Sequence, residues 1–302
     1  MFIETKEVKS RVFYQYKILV SLPQQLSFES YTYANLTARQ LKNNVLRNIY
    51  NYICNTENYI DVISRNKKII IKKEHGIDAD IICFKLAVQR EITYTAKKAE
   101  FTSESMADYP YSFVFLDVVG QTFYVEKNYK IFNKPAEMNK ILQAILKTVN
   151  ANTKEYLDVD FTTNLIVDKS DFMETFKTFD LVSKVSLRLN SPNSFLGNQK
   201  ADDYLNSLRE ETNAERMSLE ICNDDAGINA DGFLEHFDDL FEYAVNGGGE
   251  WIIGGKENGR TISKKSTAKG KMLVVDIDLN NIPNNIERIR IAFSRENRYE
   301  ED

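Results

Sequence analysis

From residue 156 onward the apolar residues of this chain change period repeatedly, and this limits the fold more than any other feature. YLDVDFTTNLIV (156–167) alternates as a strand does, and Phe172, Phe176 and Phe179 then recur at helical spacing. KVSLRLN (184–190) is strand-like again. A loop, SPNSFLGNQ (191–199), and a helical stretch, ADDYLNSLREET (201–212), follow it. RMSLEIC (216–222) precedes a helix in which Phe233, Phe237, Leu240, Phe241 and Ala244 form one stripe, with Asp231 as its cap. GEWIIGG, GRTIS and KMLVVDIDL close the run, and IRIAF (289–293) reads as a fourth strand. Strands separated by single helices predict one sheet with helices packed on it, a βαβαβαββ arrangement over 156–295.

The first half is less regular. A strand (12–22) ends at Pro23. A helix begins at about Thr37, where Thr37 and Gln40 fit a capping box, and carries the stripe Leu41, Val45, Ile49. Residues 61–73 read as two short strands around a turn at Arg65 and Asn66. Residues 81–98 and 111–127 are further strand material, the second with a turn at Gly120 and Gln121. Pro135 suits the first position of a helix whose Met138, Ile141, Leu142, Ile145 and Val149 share one face. ANTKE (151–155) is the expected junction. The expected architecture is α/β in the wider α+β sense, two mixed-sheet layers with packed helices. It divides into an N-terminal α+β domain over 1–150, an α/β domain over 156–295 and a charged tail over 296–302.

Composition, at 43% hydrophobic and 27% charged, excludes wholesale disorder. No apolar run reaches the ~18 residues of a membrane helix. The charged start, MFIETKEVKSR, lacks the apolar stretch of a leader, so the reading is cytoplasmic. Cys54, Cys83 and Cys222 are scattered, which indicates neither a disulfide scaffold nor a zinc ribbon.

The net charge of −5 hides an asymmetry. Residues 202–242 hold thirteen acids against Arg209 and Arg216, a net of −11. Residues 256–271 hold six bases against Glu257, a net of +5. The basic run lies in NGGGEWIIGGKENGRTISKKSTAKGKM (246–272), with seven of the twelve glycines. It is not a P-loop: Glu250 stands five residues before Gly255, and Glu257 follows Lys256 where Ser or Thr is needed. Asn258-Gly259 is instead the signal of a two-residue hairpin turn. The basic tip and tail then either keep a sheet edge in water or contact phosphates.

A second basic segment, SRNKKIIIKK (64–73), follows Tyr50, Tyr52 and Tyr59. NDDAGINADGFLE (223–235) lacks the first and last ligands of a calcium loop. His236 lies beside an apolar helix face, and His75 is far from it in sequence. Asp158 and Asp160 share one face of a strand, as metal-binding carboxylates or as solvent-facing residues.

Three stretches carry a family resemblance: SFVFLDVVGQTFYVEK, then VSLRLNSPNSF with its helix ending in ETNAERMSLEI, and AVNGGGEWIIGGKENGRTISKKST. Together they resemble the uncharacterised bacterial family known as domain of unknown function 4747, over about two thirds of the chain. The resemblance implies a bacterial cytosolic protein and supplies no catalytic residue. Families of this type are met among defence genes, so an anti-phage role is one expectation.

The sequence therefore predicts a non-enzymatic protein that binds nucleic acid, with no cofactor and no metal. The expected contacts are Arg260, Lys264, Lys265, Ser266, Thr267, Lys269 and Lys271, then Lys67, Lys68, Lys72 and Lys73, with Asn190, Ser191 and Asn193 on the same rim. One alternative is an interaction or oligomerisation subunit that uses the acidic 202–242 region. The other is a metal-dependent nuclease or hydrolase that uses Asp158, Asp160 or Asp117.

Overall fold

Alternation along β1 (Ser10–Ser21) sends Phe13 to one side of a sheet and Tyr14, Tyr16 and Ile18 to the other. Both sides are covered, so the strand reads as a nearly continuous apolar run. The computed structural model describes residues 10–21, 38–97, 101–154, 157–190, 199–212, 214 and 216–295. The elements after β1 are α1 (Ala38–Asn55), β2 (Ile60–Ser64), β3 (Lys67–Gly76), β4 (Ile81–Val88), β5 (Arg90–Lys97), β6 (Phe101–Asp108), β7 (Tyr111–Asp117), β8 (Thr122–Glu126) and α2 (Pro135–Ala151). Then come β9 (Asp160–Leu165), α3 (Lys169–Phe176), β10 (Leu181–Asn190), α4 (Gln199–Thr212), β11 (Arg216–Cys222) and α5 (Ala230–Tyr243). The last are β12 (Gly249–Glu257), β13 (Arg260–Lys265), β14 (Met272–Asp276) and α6 (Ile286–Arg295).

The fold is α+β, as expected from the sequence, with an eight-stranded, a four-stranded and a two-stranded sheet among the described residues. Its detail differs from the expectation of mixed sheets, because every described strand pair is antiparallel. The large sheet runs β14-β1-β8-β7-β4-β3-β2, and β9 also pairs with β1. Tyr16 and Lys17 pair with both β8 and β9, so these two strands hold opposite edges of β1. β14 pairs with Ser10–Tyr14 and β9 with Tyr16–Ser21. The large sheet thus takes strands from both sides of residues 151–155.

α1 and α2 close one face with Leu46, Ile49, Ile53, Met138, Leu142 and Ile145, all buried. α6 closes the other. Its Phe293 ring lies 5.3 Å from Phe13 and 4.5 Å from Tyr124, and the Tyr124 hydroxyl donates to the Phe293 carbonyl at 2.8 Å. The reading of IRIAF as a strand is therefore corrected. Its period-two pattern coexists with a 3.6-residue stripe of Ile286, Ile289 and Phe293, and burial of Ile289 and Phe293 selects the helix.

The small sheet has the order β11-β10-β12-β13. Since β11 and β12 both lie antiparallel to β10, they run parallel to each other, and α5 joins them as a split βαβ unit. Val185, Leu187, Leu189, Trp251 and Ile253 point to the core that continues from α1 and α2. α5 is capped by Asn229, whose side chain accepts from the amides of Asp231 and Gly232, and not by Asp231. Non-helical angles at Phe237 (φ −123°, ψ 20°) bend the helix, so Phe233 and Phe241 are buried while Phe237 and Leu240 stay half-buried. Among the described residues no helix is long and apolar enough to cross a membrane.

Lys17, Lys42 and Asp202 are buried ionisable groups on β1, α1 and α4. Burial, with Asp203 alongside, raises the Asp202 carboxyl to about 6, although Lys42 and Lys17 pull it back. Burial and Arg209 lower Lys42 to about 8, against the pull of Asp202. The Asp202 charge also raises the Tyr243 hydroxyl, after burial. Folded Asp202 holds its proton more tightly than it does unfolded. Its contribution to stability is therefore complete below its ordinary value of 3.8 and is lost as pH rises through 6. Lys42 acts in the opposite sense, adding stability as pH rises above 8. We expect Asp202→Asn to gain in melting temperature relative to the parent between pH 4 and pH 6. A difference independent of pH would show that the carboxyl titrates as in solvent.

Candidate nucleic-acid interface

The glycine-rich stretch is a helix exit followed by a hairpin. Gly247 takes φ +94° beyond α5, a left-handed conformation that ends the helix. A Cβ at Gly255 would stand 2.1 Å from the Leu181 carbonyl oxygen, so glycine lets β12 approach β10 closely. Asn258 (φ +49°) and Gly259 (φ +72°) form the turn between β12 and β13, the paired positive angles of a type I′ hairpin.

The basic run does not stand in solvent as a free tail. Lys264 Nζ lies 2.6 Å from Glu257, 2.8 Å from the Thr178 hydroxyl and 5.1 Å from the centre of the Phe179 ring. Lys269 lies 3.5 Å from each of Asp171 and Glu174. The Asp168 carboxyl is held below its ordinary value, first by the Ser170 amide and hydroxyl and also by Lys271. Ser266 is buried, and its Oγ accepts from the Trp251 amide at 3.2 Å. Thr267 is half-buried in the short 3-10 turn that follows β13. Arg260 at the hairpin tip and Lys265 at the end of β13 are exposed.

The second basic segment lies in the other sheet, on the β2–β3 hairpin, where Arg65 (φ +49°) and Asn66 (φ +63°) make the turn. Ile69 and Ile71 face the core, so Lys68 and Lys72 project the other way. Lys68 pairs with Asp61 at 2.9 Å, and Lys72 lies 5.0 Å from the Tyr59 ring centre. Lys73 donates to the Cys54 carbonyl, and Lys67 is exposed. The two segments therefore do not share a sheet.

Asn190 ends β10 opposite Arg216, and its carbonyl accepts from the Tyr243 hydroxyl at 3.1 Å. Ser191 and Asn193 lie outside the described residues. Within the acidic region, Asp238 and Glu242 bind Lys169. His236 is exposed, with Nδ1 3.0 Å from the Gly232 carbonyl oxygen. Asp160 is exposed and pairs with Lys147 at 2.8 Å, and Asp158 precedes β9. Asp117 is buried and accepts from the Gly120 amide.

What sequence reasoning missed is the outer face of the small sheet. Cross-strand partners in an antiparallel pair share a face. Lys184, Ser186, Arg188 and Asn190 of β10 therefore stand with Arg216, Ser218 and Glu220 of β11. On the other side stand Glu250, Ile252, Gly254 and Lys256 of β12, with Thr261, Ser263 and Lys265 of β13. Five bases against two acids give this face a net charge of +3, in a chain whose net charge is −5. Arg188, Arg216, Lys256 and Lys265 are exposed, and a shallow cavity of about 470 Å³ lies over Ser186, Ile252 and Gly254. Lys184 pairs with Glu220 at 2.6 Å and Arg188 with Glu250 at 3.2 Å. The signal was present in sequence as the polar alternation K-S-R-N over 184–190.

The family model for a domain of unknown function (DUF4747) matches residues 14–292. The chain belongs to this family. No curated protein and no solved structure matches it. The DUF4747 match runs from β1 into α6, so it reaches all three sheets and extends beyond the two thirds of the chain that the sequence motifs covered.

Proposed function

We propose that this DUF4747 protein binds nucleic acid through the outer face of its four-stranded sheet. The observation that carries this reading is the cationic grid of Lys184, Arg188, Arg216, Lys256 and Lys265, interleaved with the hydroxyls of Ser186, Ser218, Thr261 and Ser263. Cations and hydroxyls are the side chains that bind phosphate and sugar oxygens. The two ion pairs on the face are partly exposed, and such pairs are worth little, so phosphate oxygens can replace their carboxylates. Among the described residues this face has no aromatic side chain on which a base would stack, and its large apolar side chains are Ile252 and, at the start of β10, Leu181. Recognition on it is therefore of the backbone and tolerant of sequence.

Phosphate contacts release counterions, so log K should fall with log salt by roughly 0.9 per contact on duplex and roughly 0.7 on a single strand. Replacing Lys184, Arg188, Arg216 and Lys256 by Ala should flatten that slope by about three units and weaken binding to all sequences alike. The matched variant at Lys67, Lys68, Lys72 and Lys73 measures the other basic segment. If the sheet-face variant binds as the parent does at every salt concentration, the face is not the interface. Cleavage of the probe with Mg²⁺ would replace the binding reading with a hydrolase.

A further inference from the structure

A cavity of about 740 Å³ lies between the start of α2, the length of α3 and the turn after β13. Three independent features make it suited to an anion. The first is the N-terminus of α2. Lys134 stands at the cap without a side-chain cap hydrogen bond, Pro135 follows, and Ala136 lines the cavity. The positive end of a 17-residue helix thus borders it. The second is Trp251, which lines the cavity at 2% exposure and whose buried indole Nε1 has no hydrogen-bond partner among the described residues. Such orphaned donors are rare in folded proteins, because each costs its full desolvation. The third is charge. Lys134, Lys264, Lys265 and Lys269 line the cavity against Asp171 and Glu174, a net of +2. Lys264 is engaged by Glu257 and Thr178, and Lys269 is held at 3.5 Å by each of two acids. Lys134 and Lys265 make no ion pair among the described residues.

We propose that this cavity binds a phosphate monoester, carried either on a free nucleotide or on the end of a nucleic-acid strand. A phosphate monoester has a charge of about −1.5 to −2 at neutral pH and three strong acceptor oxygens, which matches the net +2 and the surplus of donors. A carboxylate, or a diester within a strand, brings only one charge. The volume lies within the roughly 300–1,000 Å³ of small-molecule sites, enough for a nucleotide. Lys134, Lys265 and the Thr267 hydroxyl hold the phosphate, and Lys269 joins them when it leaves the acids. Asp171 and Glu174 then accept hydrogen bonds from the sugar hydroxyls. Lys265 borders both this cavity and the outer sheet face, but Lys134 and Thr267 line the cavity and not the face, so a free nucleotide would bind here whether or not that face binds a strand.

Trp251 is the only tryptophan in the chain and lines this cavity, so its fluorescence follows ligand addition there. The parent protein would be titrated with uridine 5′-monophosphate, with uridine, and with one short oligonucleotide bearing either a 5′-phosphate or a 5′-hydroxyl. A saturable change with either phosphorylated probe, about tenfold or more weaker without the phosphate, is the expected result. A response to the mononucleotide assigns a free ligand, and a response to the phosphorylated strand alone assigns a strand end. Lys134→Ala and Lys265→Ala should each weaken the response about tenfold. Thr267→Val is the further variant should either fail to fold. Replacing Lys184, Arg188, Arg216 and Lys256 should leave the response unchanged, which separates this site from the sheet face. No saturable change with either phosphorylated probe, or equal responses with and without the phosphate, would overturn the proposal.

Discussion

Residues 1–155, produced without the rest of the chain, should show no cooperative unfolding transition. β1 is the reason. One of its edges is held by β14 along Ser10–Tyr14 and by β9 along Tyr16–Ser21, and both strands come from the second half. The fragment would leave that edge bare for its whole length, with unpaired backbone groups beside apolar side chains. It would also lose α6, whose Phe293 and Ile289 cover Phe13, Phe115 and Tyr124. Exposing those rings removes an entire apolar face of the large sheet. Circular dichroism melting of the fragment, alone and mixed with residues 156–302, tests this. A sharp transition in the fragment alone would show that the β2-β3-β4-β7-β8 part of the sheet is self-sufficient. Recovery of a transition only on mixing would show that the two halves complete one sheet.

Sequence made the elements easier to read than their partners. The hairpin turns at Arg65-Asn66 and Asn258-Gly259 were legible because a two-residue turn needs residues that accept positive φ, which is a local requirement. Pro135 marked the start of α2 for the same kind of reason. β6 was not legible: FTSESMAD has little apolar patterning and forms a strand by pairing with β5. IRIAF satisfied two periods at once, and only the aromatic face of the large sheet decides between them. The assignment of β9 and β14 to the large sheet is a long-range pairing that no window of sequence contains. The candidate site divides in the same way. The outer face follows from period-two alternation once the register is known. The cavity beside Trp251 gathers Lys134, Thr175, Trp251 and Thr267 from four separate segments, and nothing local in the sequence links them. The abundance of lysine between 256 and 271 suggested free cations because the sequence does not show that Glu257, Asp171 and Glu174 stand opposite Lys264 and Lys269.

Phe172→Ala should cost about 3–5 kcal/mol, the usual range for removing a fully buried phenyl ring. The ring is 0% exposed, and its centre lies 5.8 Å from Phe233, 4.8 Å from Phe241, 5.5 Å from Trp251 and 5.9 Å from Phe176. It is the point where α3, α5 and β12 meet, so the cavity left behind has walls in three elements that cannot all collapse inward. The helical stripe of α5 alone would have nominated Phe237 for this role. Its backbone departs from helical angles and its ring is half-buried, so Phe237→Ala should cost much less, about 1–2 kcal/mol. Urea denaturation followed by Trp251 fluorescence measures both, with the shift read from the midpoint at constant slope. Trp251 in the Phe172 variant should also emit at longer wavelength before unfolding, because its edge-on neighbour is gone and water reaches the indole. Equal midpoint shifts for the two variants would place the packing centre of the small sheet on α5 and not on α3.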